Sequence, residues 1–100
     1  ETTGLKLFKN LPASTQTSVA STASSKAILA ANLARRGAII QNTSTDVLYL
    51  LFGGGTADTT VAHTVRLASN AYYEVPFGFT GAITGISSGT NGAANITEFT

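Results

Sequence analysis

The chain lacks cysteine, methionine and tryptophan, has two prolines, and is poor in charge, with Asp, Glu, Lys and Arg making up 11% of its 100 residues. The absence of cysteine excludes disulfides, thiolate nucleophiles and cysteine metal sites. No apolar run approaches the roughly 20 residues of a membrane-spanning helix, and no basic region followed by an apolar stretch opens the sequence. We therefore expect neither a membrane partner nor a signal peptide.

The remaining composition predicts a folded domain. Hydrophobic residues make up 43% of the chain, enough for the single modest core that this length can bury. The formal net charge is +1, whereas a nucleic-acid-binding domain usually carries a conspicuous basic excess. We therefore expect no nucleic-acid partner.

The charged residues are unevenly ordered along the chain. Five of the six cationic residues and one acidic residue lie within the first 36 positions, and Arg66 follows with four acidic residues. This order suits contacts between copies of the chain, and it is equally compatible with scattered, solvated charges. Serine and threonine supply a quarter of the sequence, and such neutral, hydroxyl-rich surfaces are typical of shells, fibres and extracellular β-modules.

The first 25 residues have the composition of an extended arm. Leucines and lysines alternate weakly over residues 6–11, and residues 12–25 contain Val19 as their one anchor. Such a segment cannot bury enough surface to order itself, so either the body of the domain or another subunit must hold it. We predict an extended N-terminal arm over residues 1–25 and a β-sandwich domain over residues 26–100.

The segment "SSKAILAANLARRG" is ambiguous by local propensity. Ser25 is a suitable helix cap, alanine, leucine and lysine favour a helix, and Gly37 is suited to end one. The segment lacks an acidic first turn and precedes β-like sequence, so a strand over residues 27–31 followed by a loop is the alternative.

The rest of the chain predicts short antiparallel strands. Runs rich in Ile, Val, Tyr, Phe and Thr begin about every ten residues and are bounded by turn sequences such as "NTSTD" and "SSGTNG". No helix-length segment follows any of these runs, which excludes a doubly wound parallel sheet. The fold class is therefore all-β, a compact antiparallel β-sandwich or jelly-roll-like barrel. The predicted strands cover residues 38–41, 47–52, 61–67, 72–77, 81–86 and 94–99.

The glycine triplet at residues 53–55 is not expected to bind phosphate. A phosphate loop requires a lysine and a hydroxyl residue at fixed spacing and a helix after the glycines, and "TADTTVAHTV" provides neither the lysine nor the helix. We predict instead a loop or bulge in which glycine adopts positive φ.

His63 is the one histidine, so any Ser-His-Asp triad would need it, with Asp46 or Asp58 as its partner. None of the nine serines lies in an activating motif such as G-x-S-x-G. One histidine and scattered carboxylates also form no recognisable metal-ligand set. We therefore predict no catalytic, cofactor-binding or metal-binding residue, and place His63 on a strand as a packed or interfacial side chain.

Aromatic residues cluster in "NAYYEVPFGFTGAITGI", which contains Tyr72, Tyr73, Phe77 and Phe79. On a strand, neighbouring tyrosines point to opposite faces, so one belongs to the core and the other to a surface. Exposed aromatics on a β-surface stack against sugars or anchor a protein interface. Both interpretations remain open.

Three segments, "ARRGAIIQNTSTDVLYLLFG", "HTVRLASNAYYEVPFGFTGAITGI" and "GAANITEF", resemble small virion structural proteins of tailed bacteriophages, of the type that decorate or cement the head. The resemblance runs from about Lys26 to Thr100. It implies that residues 27–31 form a strand, that the protein is a homo-oligomer, typically a trimer, and that it binds the major capsid protein of the same virion. It also implies synthesis in the host bacterial cytoplasm and a final location on the capsid surface.

The expected function is therefore that of a non-enzymatic capsid decoration or cement protein that stabilises the shell by bridging capsid subunits. The alternative is a carbohydrate-binding, host-attachment β-module associated with a tail or fibre. No cofactor is expected for either role. The candidate interface residues are Lys6, Phe8, Lys9, Arg35, Arg36, Tyr72, Tyr73, Phe77 and Phe79.

Overall fold

In the computed structural model, which describes residues 13–100, eight strands form two four-stranded antiparallel sheets. Sheet A has the strand order β1-β8-β3-β6, and sheet B has the order β2-β7-β4-β5. The strands are β1 (Ser14–Ser21), β2 (Lys26–Leu29), β3 (Gly37–Asn42), β4 (Leu48–Phe52), β5 (Val65–Leu67), β6 (Tyr72–Val75), β7 (Ile83–Ser87) and β8 (Gly92–Phe99).

The strand pairing is nested along the chain. Strand β1 pairs with β8, β2 with β7, β3 with β6 and β4 with β5, all antiparallel. The chain is thus a long hairpin folded over itself, with its strands distributed between two facing sheets, which is the jelly-roll arrangement. The all-β prediction and its sandwich or jelly-roll architecture are confirmed.

The core lies between the two sheets. On β3 and β8, which are neighbours, Ile40 and Ile96 pair directly and both point inward. Burying a side chain of this size contributes roughly 1.5–3 kcal/mol. The other buried apolar residues of this cluster are Ile28, Ala38, Leu48, Leu50, Leu67, Val75, Ile83 and Ala94.

Residues 26–29 of the ambiguous segment form a strand, whereas the resemblance implied a strand over residues 27–31, and residues 30 and 31 lie outside it. Within β2, Ile28 is 5% exposed and packs over Gly85 of β7. A Cβ at Gly85 would lie 2.7 Å from the Ile28 Cγ1 atom, so the absence of a side chain there makes room for Ile28. Burial of Ile28 thus overrides the helical propensity of "KAILAANLA".

The strand predicted over residues 61–67 is correct only at its C-terminal end. Residues 61–64 are not in a strand, and His63 lies in a loop instead of on the expected strand. The Asp58 carboxylate accepts hydrogen bonds from the backbone N–H groups of Thr60, Val61 and Ala62 at 2.8–3.0 Å. These amides are consequently occupied by a local turn and cannot join a sheet ladder.

Residues 14–21 of the predicted arm belong to the body of the domain. Strand β1 pairs with β8 along its whole length, from Ser14 opposite Phe99 to Ser21 opposite Gly92. At its inner end the Ser21 and Ser87 hydroxyls share a buried hydrogen bond. The segment is therefore extended, and strand β8 of the domain holds it. Residues 1–12 of the predicted arm lie outside the described residues.

Candidate interaction surfaces

One of the predicted interface residues, Arg35, lies inside the molecule. Its side chain is fully buried, and Nε donates to a Glu98 carboxylate oxygen at 2.7 Å. Nη1 donates to the carbonyls of Phe79 and Gly81 at 3.0 and 2.9 Å, and Nη2 donates to the carbonyl of Ala30. Arg35 is therefore a structural residue that ties two loops to β8, and the prediction of a surface contact is wrong for this residue.

The outward side of sheet A carries side chains from all four of its strands. Because side chains alternate along a strand, one set from each of β1, β8, β3 and β6 points away from the core. We call this surface the outer face. Its larger side chains are those of Gln16, Ser18, Ile39, Gln41, Tyr72, Glu74, Asn95, Thr97 and Phe99, all exposed or half-buried.

One corner of the outer face is apolar. The rings of Phe77 and Phe99 flank Gly37, whose added Cβ would lie 3.6 Å from the Phe77 ring and 4.0 Å from the Phe99 ring. Beside them lies the half-buried Ile39, and all four residues line a shallow depression. Phe77 is 77% exposed. We call these four residues the aromatic patch.

The remaining predicted aromatics divide between surface and core. Tyr72 is 62% exposed and points to the outer face, whereas Tyr73 packs edge-on against Phe52 with ring centroids 5.7 Å apart. Phe79 also packs against Phe52, with ring centroids 5.0 Å apart. The expectation that adjacent tyrosines face opposite sides is confirmed. Tyr73 and Phe79 therefore support the fold, and Tyr72 and Phe77 are the aromatics available at the surface.

The four sheet edges differ in how well they are protected against pairing with another chain. Strand β2 has four residues and a register shift, β5 has three residues, and β6 has four residues followed by Pro76. Each of these strands also carries a charged residue: Lys26, Arg66 and Glu74. Strand β1 has eight residues, no charge, no proline and no register shift against β8. Shortness, charge, proline and bulges are the usual protections of an edge, and β1 has none of them.

The residues considered for catalysis have local structural partners. His63 Nδ1 lies 3.1 Å from the carbonyl oxygen of Asp58, and its ring packs edge-on against Tyr49. The backbone N–H groups of Ala62, Val61 and Thr60 lower the pKa of Asp58 from 3.8 to about 2, since they stabilise its ionised form. Within residues 13–100, no group of three or more His, Cys, Asp and Glu residues is arranged to hold a metal ion.

The glycine triplet forms a turn, as predicted. Gly53 and Gly54 have φ values of 105° and 84°, and the Gly53 amide donates to the carbonyl of Ala82 at 2.8 Å. The triplet follows β4, and no helix follows it. In addition, residues 13–100 contain no helix that is long and apolar enough to span a membrane.

Of the other four predicted interface residues, one lies within the described part of the chain. Lys6, Phe8 and Lys9 lie outside the described residues, and Arg36 is half-buried with its backbone bonded to Phe99 and Gly78. Sequence reasoning missed Phe99 and Ile39 as surface residues. The alternation of "AANITEF" already places Phe99 on the face opposite Ile96, but a strand pattern does not say which neighbouring strand brings Phe77 beside it.

Among known proteins, the chain is similar to solved structures in its fold. No family model and no curated protein matches the chain. A structure of Bacillus endospore appendages, described as a novel family of disulfide-linked pili, is 15% identical, with 87% of this chain and 81% of that chain covered and a TM-score of 0.58.

A second similar structure is dTDP-4-dehydrorhamnose 3,5-epimerase from Bacillus anthracis str. Ames with TDP and PPi bound. The identity is 12% and the TM-score 0.51, and 99% of this chain aligns with 59% of the epimerase chain. A pilus subunit and an enzyme thus share this architecture, so the fold alone does not select a function. What the comparisons show is that the chain has an established two-sheet β-fold.

Proposed function

We propose that the chain is a non-enzymatic virion structural protein of a tailed bacteriophage, which binds the outside of the head as a decoration or cement protein and bridges capsid subunits. The observation that carries this proposal is the outer face of sheet A, most of whose named side chains are exposed and which bears the aromatic patch at one corner. The resemblance of residues 26–100 to head decoration proteins supports it.

The size of the outer face determines how such a protein would attach. Four strands about 4.8 Å apart and up to eight residues long present roughly 20 × 25 Å, or about 500 Å². A stable protein interface covers about 800 Å² on each partner. One outer face is therefore too small for tight binding, and attachment through several copies or through additional contacts of residues 1–12 is needed.

The aromatic patch is tested by replacing Phe77 with serine. Loss of one buried phenylalanine contact removes roughly 1.5–3 kcal/mol, so we expect the affinity for phage heads assembled without this protein to fall about 10- to 100-fold. The fold should be unaffected, because Phe77 is 77% exposed. Cosedimentation of the purified chain with heads of the phage that encodes it measures the change.

The matched control is Val61→Ser, at an 84% exposed position in the loop before β5. Val61 is apolar and exposed like Phe77 but lies away from the outer face, so its replacement should leave head binding unchanged. Equal effects of the two changes, or no binding of the wild-type chain to heads, would contradict the proposal. A chain that begins at residue 13 tests residues 1–12 in the same assay without removing β1.

A carbohydrate-binding role on a tail or fibre is the second candidate, and one row of the outer face favours it. Tyr72 lies opposite Gln41, Gln41 lies opposite Asn95, and Asn95 lies opposite Ser18. An exposed aromatic ring beside two amides and a hydroxyl suits the apolar face and the hydroxyl groups of a sugar. If glycan microarrays detect binding by the isolated chain, Tyr72→Ala should abolish that binding while Phe77→Ser leaves it intact. Binding that survives Tyr72→Ala would exclude this row as the sugar site.

A further inference from the structure

We infer that two copies of the chain associate through their β1 strands, which pair antiparallel across a two-fold axis and join two A sheets into one eight-stranded sheet. The inference starts from the outer edge of β1, with which no strand among residues 13–100 pairs and which presents its outward backbone groups over eight uncharged residues, Ser14–Ser21. Such an edge is a template for another strand. The inference is independent of the proposed function.

Strand length selects the partner. The other edges available among the described residues are β2, β5 and β6, with four, three and four residues. Pairing β1 with any of them would leave at least half of its eight residues without a partner. A second β1 matches the first in length, and because the strand has no charged residue, no like charges meet across the new pair.

The pleat limits the register of this pair. Gln16 and Ser18 point to the outer face, whereas Thr15, Thr17 and Val19 point to the opposite side. A continuous sheet requires outward residues to lie opposite outward residues, since a slip by one position would reverse the faces. The two-fold axis must therefore pass between the two copies of one residue, and at the middle of Ser14–Ser21 this residue is Thr17 or Ser18.

The double variant Gln16→Lys/Ser18→Lys tests the inference. In both central registers it places at least one lysine directly opposite a lysine of the partner, at positions that are solvent-exposed in the single chain. We expect the wild-type chain to have twice its 10.2 kDa mass in sedimentation velocity, and the variant to have a dimer dissociation constant at least about tenfold higher. At concentrations low enough that both chains are monomeric, their melting temperatures should be equal. Amide hydrogen exchange should also show slower exchange in β1 at concentrations where the dimer forms.

The matched control is Asn95→Lys/Thr97→Lys, which adds the same two charges to the same outer face, one strand inward on β8. It should leave the dimer intact, because its lysines are not at the edge. Four results would overturn the inference: a wild-type monomer at high concentration, a wild-type trimer, a dimer broken by the β8 lysines but not by the β1 lysines, or a dimer lost on removal of residues 1–12 yet insensitive to the β1 lysines. The trimer result would agree instead with the assembly that the sequence resemblance implies.

Discussion

Replacing Arg35 with alanine is expected to lower the free energy of unfolding by about 3–5 kcal/mol. The change leaves the Glu98 carboxylate, whose side chain is 17% exposed, without its cationic partner. It also removes the donor to the carbonyls of Ala30, Phe79 and Gly81. A domain of this size typically has a total stability of 5–15 kcal/mol, so the loss is a large fraction of the total.

Urea unfolding followed by circular dichroism measures this loss, with Arg36→Ala as the control. Arg36 adjoins Arg35 and carries the same charge, but it is half-buried and is bonded to its neighbours through its backbone. Its replacement by alanine should lower the free energy of unfolding by less than about 1 kcal/mol. The Arg35→Lys variant should have a stability between those of Arg35→Ala and Arg36→Ala, because lysine retains the charge but cannot reproduce the planar set of donors. Equal stabilities of Arg35→Ala and Arg36→Ala would show that the buried guanidinium does not hold the loops.

Replacing Asn42 with aspartate is expected to lower the free energy of unfolding by about 3 kcal/mol or more, although the two side chains have nearly the same shape. Asn42 is fully buried, and its Nδ2 group donates to the carbonyls of Asp46, Leu67 and Ala68 at 2.7–3.2 Å. An ionised carboxylate has no proton to donate and would face these carbonyl oxygens with a buried negative charge. The loops that follow β3 and β5 would then lose their common donor.

The adjacent change Gln41→Glu provides a close control for this prediction. It makes the same amide-to-carboxylate replacement one residue earlier on β3, at an exposed position. We expect this change to alter the free energy of unfolding by no more than about 0.5 kcal/mol. Thermal unfolding at neutral pH compares the two variants. A similar melting temperature for both would mean that the buried amide is not needed to hold the loops.

Several features of the fold could be predicted from the sequence because they depend on local pattern. The runs that became β3, β4 and β8 alternate or are continuously apolar, and turn residues bound them, so their positions were predicted to within two residues. The positive φ of Gly53 and Gly54 was also predictable, since three consecutive glycines after a strand favour a turn. The opposite orientations of Tyr72 and Tyr73 follow from strand geometry alone.

Other features depend on which segments meet in space. Arg35 looks in the sequence like a surface cation beside Arg36, and its burial depends on Glu98, which is 63 residues later in the chain. The loop at residues 61–64 has an alternating, strand-like pattern, and the Asp58 carboxylate captures the amides that a strand would need. Asn42 likewise donates hydrogen bonds to carbonyls that lie up to 26 residues later in the sequence.

The sequence by itself determined the fold class, most of the strands and the absence of recognisable catalytic motifs, because these depend on periodicity and residue type over short distances. Only the tertiary structure decided that β1 lies at an edge, that the aromatic patch forms from Gly37, Ile39, Phe77 and Phe99, and that Arg35 is internal. The physical reason is that exposure depends on which neighbours the long-range strand pairing provides, and a local pattern does not specify them.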